Sequence, residues 1–326
     1  MKVAAAAPGK VILTGEHFVV YGEPALVMAI DRYVQVTVSF RPDNQVYVIS
    51  DLGVSGFFEQ ERFRPEAGGI AAQRILEPIK ISAKVTLETL DVKKGLNIEV
   101  TSTLPIAVGL GSSSALAVAT VAATGRLLGT TFTKDEIIQL STEAEKYVHI
   151  NPSGVDQSIA AYGNILSYCK SQGISRIQTD YAIPLVIGNT GIRRNTGQIV
   201  DSVSDRGKKL PNIMQSLTSI AGTLTRAAIE AAKQGQLEQL GLLMDINHGL
   251  LSAIGVSNEY LERLVYAAKH GGALGAKLTG AGGGGCIIAL AHVDRQETVA
   301  HAISQSGGTP ILVRQAKKGV RAWVVR

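Results

Sequence analysis

Several short segments of the chain gather residues that handle phosphate and hydroxyl groups. The densest is Pro105-Ile-Ala-Val-Gly-Leu-Gly-Ser-Ser-Ser-Ala115. It starts where a strand-like run, Leu96 to Val100, ends, and it opens into an Ala-rich helical run from Ala115 to Leu128. Gly109 and Gly111, on either side of Leu110, let the backbone turn tightly and approach a ligand. Ser112, Ser113 and Ser114 stand where the first helical turn begins, with unpaired N–H groups and the positive end of the helix dipole. An anion fits there, and phosphate is the natural guest. An ordinary glycine turn with a serine N-cap reads the same locally, so the weight falls on what accompanies it. The common nucleotide loops are absent: there is no GxxxxGK[ST], and the GxGxxG within Gly280–Gly285 lies far down the chain.

The first companion is Pro8-Gly-Lys-Val-Ile-Leu-Thr-Gly-Glu-His-Phe-Val-Val-Tyr-Gly-Glu-Pro-Ala-Leu26. Its Pro-Gly pair sets Lys10 at the beginning of a strand. Gly15-Glu16-His17 then places an acid and an imidazole just past that strand's end. A lysine so placed lowers the pKa of a neighbouring hydroxyl or holds a phosphate. Taken alone, Lys10 also reads as a solvated strand-edge lysine, Glu16 as a turn carboxylate and His17 as a surface histidine.

The second companion is Glu145-Lys-Tyr-Val-His-Ile-Asn-Pro-Ser-Gly-Val-Asp156. Glu145 falls in the last turn of a helix, where the dipole disfavours a carboxylate. That placement asks for a positive partner such as a metal ion. Asn151 to Gly154 is turn chemistry, and it delivers Asp156 just ahead of an apolar helical run, Ile159 to Ala161. Asp156 there either caps the helix or orients or deprotonates a substrate hydroxyl beside Lys10. The third companion, Lys277-Leu-Thr-Gly-Ala-Gly-Gly-Gly-Gly-Cys286, sets consecutive glycines before a strand, each at an entropic cost. It reads as backbone lying against a phosphate or the serine loop, or as a bulged strand entry. Asn189 to Thr196 is weaker; it offers Arg193 and Arg194, one of which could fork a carboxylate. His149, His248, His270, His292 and His301 follow no metal-ligand spacing.

The elements that must position these residues follow from patterning. With 326 residues the chain suggests two domains. Short strands are expected at Val11–Leu13, within Ala25–Phe40 and at Val46–Ile49, with period-two alternation at Val34–Ser39. Residues 66–80 look helical, and Val85–Leu90 with Leu96–Val100 looks like a hairpin around Lys93-Lys94-Gly95. The helix after the serines ends at Gly129, a C-cap residue. Thr133-Lys-Asp-Glu136 is a capping box opening a helix to about His149. A strand at Ile165–Cys169 precedes a change of texture, and the domains divide into 1–182 and 183–326. The second begins with the strand Leu185–Gly188. Helical stretches follow at 212–233, 236–252 and 257–269, then a Gly-rich segment, a strand at Cys286–Leu290, a helix at 294–306 and strands at 310–314 and 320–325.

Composition limits the partners. Hydrophobic residues make up 45% and charged residues 18%, as in globular soluble proteins. A net charge of +5 and a pI near 9.1 favour anionic partners. The basic residues are dispersed and there is one Trp, so no nucleic-acid role is expected. Two cysteines, Cys169 and Cys286, imply neither a disulfide framework nor a cysteine-rich zinc site, and a reducing cytoplasm fits. The N-terminal Met1-Lys-Val-Ala-Ala-Ala-Ala is broken by Pro8-Gly9-Lys10, so it does not read as a signal peptide. No apolar run is long enough to span a membrane.

In this order and at these separations, the three companion segments and the serine turn resemble the superfamily of galactokinase, homoserine kinase, mevalonate kinase and phosphomevalonate kinase. Pro8 to Gly22 with its following Pro-Ala-Leu, and Asn151 to Asp156, are most similar to the mevalonate kinases. The resemblance implies an α+β, two-domain small-molecule kinase fold. Its N-terminal α/β domain is like domain 2 of ribosomal protein S5, its C-terminal domain is ferredoxin-like, and ATP lies in the cleft. It also implies Lys10 and Asp156 as the catalytic pair, and Ser113 and Glu145 as Mg²⁺ ligands. Glu16, His17, Arg194 and Thr196, with Lys10 and Asp156, would bind mevalonate. Gly109, Leu110, Gly111, Ser112, Ser113, Ser114, Gly282 and Gly283 would cradle the ATP phosphates. A cytoplasmic homodimer is implied as well. Ile150 and Gln157 depart from the common pattern of relatives. Other readings on the same scaffold are a kinase of phosphomevalonate or of a sugar, and a ligand-binding regulator without catalysis.

Overall fold

Hydrophobic patterning lays down two sheets, and one apolar cluster joins them. In the computed structural model, residues 1–105, 109–146, 154–192 and 196–325 are described. The chain opens with the long strands β1 (Lys2–Thr14) and β2 (Ala25–Arg41), with a 3-10 turn, Phe18–Tyr21, between them. Nearly every residue of β1 is buried, which explains why Val3 to Ala7 shows no polar alternation. Then come β3 (Val46–Ser50), β4 (Val54–Glu59), β5 (Arg62–Ala67), α1 (Ala72–Thr89) and β6 (Gly95–Ser102). Helices α2 (Ser112–Leu127), α3 (Lys134–Lys146) and α4 (Val155–Tyr162) lead to β7 (Ile165–Cys169) and β8 (Gly173–Ile177). The rest comprises β9 (Leu185–Asn189), α5 (Thr196–Lys209), α6 (Pro211–Gln234), α7 (Leu237–Ala253), α8 (Glu259–His270), β10 (Gly275–Thr279), β11 (Cys286–Leu290), α9 (Gln296–Gln305), β12 (Thr309–Val313) and β13 (Arg321–Val325).

The first sheet runs β13-β1-β2-β6-β3-β4-β5, with β7 also on β2 and β8 on β7. Among the described strands its pairings are antiparallel except β3 with β6. The second sheet, β10-β11-β9-β12, is antiparallel throughout. The expected two-sheet α+β architecture is therefore present. Helix α2 lies at its centre, buried through Ala115, Val118, Ala119, Val121, Ala122, Ala123 and Leu127 against β1, β2, α1, α3 and α4. Its small side chains let those elements approach closely. The capping box of α3 forms as expected: Thr133 N–H donates to Glu136 Oε2 at 2.7 Å and Glu136 N–H to Thr133 Oγ1 at 3.3 Å.

One expectation fails, and one strand crosses from the second half to the first sheet. Val85–Leu90 is not a strand, because residues 72–89 form one helix. Leu76, Ile79, Ala83, Thr86 and Leu87 recur at helical spacing on its buried face, and that periodicity overrides the β-branched residues. The strand β6 pairs with β2 and β3 instead. Nor does all of 183–326 stay in the second half: β13 pairs antiparallel with β1, Lys2 opposite Val325 and Ala6 opposite Arg321. A single apolar cluster runs from Val3, Leu13 and Val121 to Ile187, Leu240 and Ile288, joining the halves.

Helix α7 fixes β10 in place through polar side chains. Asp245 Oδ1 accepts from Ala276 N–H at 2.8 Å, and His248 Nδ1 accepts from Leu278 N–H at 3.3 Å. The His248 proton therefore sits on Nε2, which faces Glu262 Oε2 at 3.2 Å. Burial pushes this imidazole below its ordinary value, against the pull of the Glu262 carboxylate. The unfolded chain thus binds a proton that the folded chain resists, and stability falls as the pH drops below about 6.5. The expected loss is at most about 1.4 kcal/mol per pH unit from this group. Melting temperatures between pH 5 and pH 7 should fall less steeply in His248→Gln than in the parent; identical slopes would remove His248 as the source.

Candidate active site

Lys10 is held by its backbone and its stem. Its N–H donates to Leu110 O at 2.8 Å, which fastens the serine turn to β1. Gly111, the N-cap of α2, has φ 76°, and a methyl placed on it would lie 2.8 Å from Lys10 Cγ. A residue with a side chain is thus excluded twice, by the left-handed backbone and by the lysine stem. The Lys10 ammonium faces Asp156 Oδ2 at 3.3 Å, with side chains 8% and 40% exposed. Asp156 stands in the first turn of α4 behind the N-cap Gly154, where the dipole favours its charge. Gly154 holds the N-cap position and Asp156 lies inside the first turn, so the alternative reading of Asp156 as the N-cap does not hold.

Ser112 is half-buried, Ser113 exposed and Ser114 buried at the start of α2, and no side chain among the described residues caps that helix. Gly109 shares the left-handed conformation, at φ 83°. The first N–H groups of α2 therefore begin beside the Lys10 stem, and a helix start of this kind suits an oxyanion.

Glu145 lies in the last turn of α3, as expected. Burial, with the charge of Asp156 adding to it, pushes its carboxyl up to about 7. Asp156 is already paired with Lys10, whereas Glu145 forms no ion pair among the described residues. A hydroxyl and a carboxylate are hard oxygen donors, and Mg²⁺ uses one or two protein carboxylates while phosphate and water supply the rest. Ser113 and Glu145 fit that ion. No cluster of three or more His, Cys, Asp or Glu side chains occurs among the described residues.

In the glycine-rich run, Gly280, Gly282, Gly283, Gly284 and Gly285 all have positive φ. At Gly282 an added methyl would lie 2.2 Å from Val256 O, and Gly283 N–H donates to that same carbonyl at 2.8 Å. The run packs against Ile192 and Ile199. His17, itself at φ 61°, bonds through Nε2 to Ala281 O at 2.9 Å.

Glu16 departs from expectation. It was expected beside the acceptor, yet it is 2% exposed and forms a buried ion pair with Lys277, while Asn247 Nδ2 donates to its other oxygen at 3.3 Å. Both oxygens are committed within the protein. Thr196 opens α5 and is exposed. Arg194 lies outside the described residues. Sequence reading missed Lys277, Asn247 and Thr279. Lys277 heads the glycine motif and was visible there, whereas Asn247 is one polar residue in an amphipathic helix and carries no local signal.

A phosphate-binding helix start, a lysine–aspartate pair and a glycine-rich strand entry, set between two sheets, describe a small-molecule kinase. Two GHMP kinase profiles match, the N terminal domain over residues 77–164 and the C terminal over residues 228–309, and the chain belongs to this family. Within it, the chain is similar over nearly its full length to proteins named mevalonate kinase. It is 39% identical to that of Pyrococcus horikoshii, covering 98% of this chain and 97% of the relative. It is 38% identical to that of Thermococcus sibiricus, covering 98% of each. The crystal structure of L. major mevalonate kinase in complex with R-mevalonate matches at a TM-score of 0.84 and 29% identity over 96% of each chain.

Gly111→Ala tests the packing of the turn on Lys10. The left-handed backbone alone costs the variant about 1–2 kcal/mol in urea unfolding. Displacement of the lysine should lower kcat about tenfold or more. Parental kcat and stability would show that the methyl is accommodated.

Proposed function

We propose that the chain transfers the γ-phosphate of ATP to the 5-hydroxyl of mevalonate, giving 5-phosphomevalonate. The observation that carries this reading is the Lys10–Asp156 pair at 3.3 Å beside the serine turn, in a chain 38–39% identical to mevalonate kinases from end to end. Phosphoryl transfer asks the protein mainly to position the reactants and neutralise charge. The N–H groups at the start of α2 hold phosphate oxygens, and Gly282 and Gly283 offer backbone to the same group. Lys10 stabilises negative charge on the attacking oxygen. Asp156 orients the hydroxyl and accepts its proton as the bond to phosphorus forms. Mg²⁺, held by Ser113 and Glu145, would neutralise charge on the phosphates. His17, Arg194 and Thr196 complete the acceptor pocket in this reading.

The division at 182/183, with β13 returning to the first sheet, belongs to the same proposal, as do a homodimer and a cytoplasmic setting. Among the described residues no helix is long and apolar enough to cross a membrane.

ADP release should be measured with MgATP and, in turn, mevalonate, phosphomevalonate, homoserine and galactose. Turnover with mevalonate alone is expected; turnover with another alcohol moves the substrate and keeps the mechanism. Lys10→Met and Asp156→Asn should each lower kcat by about 10² to 10⁴ with the fold intact by circular dichroism. An unchanged kcat in a folded Asp156→Asn protein would sink its role.

A further inference from the structure

The buried pair of Glu16 and Lys277 stands outside the groups that face phosphate or alcohol, yet it joins two of their supports. Lys277 lies in the middle of β10 and is wholly buried. Its ammonium donates to Glu16 Oε1, to Leu278 O at 2.6 Å and to Ile12 O at 3.4 Å. Glu16 is its one carboxylate partner among the described residues. Asn247 spans the same turn, accepting from Gly15 N–H at 3.2 Å while donating to Glu16 Oε2. The next residue, His17, holds an uncommon left-handed backbone and bonds to Ala281 of the glycine-rich run. Two residues beyond Lys277, Thr279 Oγ1 accepts from Ile12 N–H at 3.0 Å. The turn after β1 is therefore pinned to β10 on one side and to the glycine-rich run on the other.

A buried ion pair is a poor source of stability, because desolvation offsets most of the attraction. What it supplies is a single arrangement. Apolar surfaces can slip past one another, but a dry ammonium cannot leave its carboxylate without a large penalty. Here that restriction falls where β1, which carries Lys10, meets the strand that leads into Gly282 and Gly283.

We propose that Glu16 and Lys277 are positioning residues for phosphoryl transfer: their pair fixes the end of β1 against β10, and so sets the Lys10 ammonium and the glycine-rich run at one separation. Glu16 acts without touching the acceptor alcohol. The proposal rests on the roles given above to Lys10 and to the glycine-rich run.

The test is steady-state kinetics with mevalonate and MgATP on Glu16→Gln, Lys277→Met, the double variant and Asn247→Ser. Each charge-breaking single variant should lose about tenfold or more in kcat, with the KM for mevalonate moving less than about threefold. The neutral double variant should recover at least about threefold over the worse single, since no charge is left unpaired. Asn247→Ser removes the bridge without stranding a charge, and should lower kcat about threefold or more at constant KM; it and the double variant decide the matter if a single variant does not fold. A mevalonate KM raised about tenfold in Glu16→Gln would make Glu16 an acceptor ligand and overturn the proposal. So would parental kcat in the variants, or a double variant no better than its worse parent. Lys10→Met keeps the two readings apart. If it is inactive while the Glu16 and Lys277 variants behave as the parent, Lys10 stands and the positioning role falls; if it is active, the reading of Lys10 falls first.

Discussion

One charged nitrogen must be held still beside the serine turn, and much of the structure answers to that constraint. The Lys10 ammonium has a long flexible stem, which by itself would sample many rotamers. The fold removes that freedom from three directions. The backbone of Lys10 is bonded to Leu110, its stem is covered by Gly111, and its head faces Asp156. The first two contacts come from the serine turn and the third from α4, so the lysine is placed only once β1, that turn and α4 have all packed around α2.

The electrostatics of the opening differ in kind from those of the surface. Pairs such as Lys208–Asp205 and Lys233–Glu230 are largely exposed and three residues apart on a helix, and each contributes on the order of 0.3–0.5 kcal/mol. Asp156 is paired with Lys10, whereas Glu145 has no ion-pair partner among the described residues. Burial first, and the charge of Asp156 second, raise the Glu145 carboxyl to about 7, so positive charge entering beside it meets a group ready to give up its proton. A site made for folding stability would have paired Glu145 internally as well. In the proposed reading that compensation would fall to Mg²⁺ brought with the nucleotide.

What could be read from the sequence was local. The serine turn, the capping box at Thr133 and the helices α6 to α8 are each specified within one or two turns of chain. The meeting of Lys10 with Asp156 was legible because both sit beside turn residues that announce a special position. The failures were of two physical kinds. At Val85–Leu90 a local propensity for strand lost to the helical spacing of the residues that α1 buries. At Glu16 the deciding partner lies 261 positions away, and no pattern around a turn carboxylate says whether it faces solvent, substrate or a buried lysine. The same holds for β13, whose pairing with β1 is set by the sheet edge left open beside Lys2–Ala6.

The arrangement also constrains how the protein meets its ligands. Two domains with separate cores can close on a substrate by rotating about a linker. Here one apolar cluster passes from β1 and α2 into β9, α7 and β11, and the end of β1 is bonded directly to β10 through Thr279 and Lys277. Close packing of that sort resists shear, because it has discrete arrangements rather than continuous ones. Adjustment to a nucleotide then falls to backbone outside the two sheets, and the glycines from Gly280 to Gly285 are such backbone. Their strained-looking geometry is cheap for glycine alone, and it stands between two fixed strands. A rigid frame of two bonded sheets places the lysine once, at folding, rather than at each turnover.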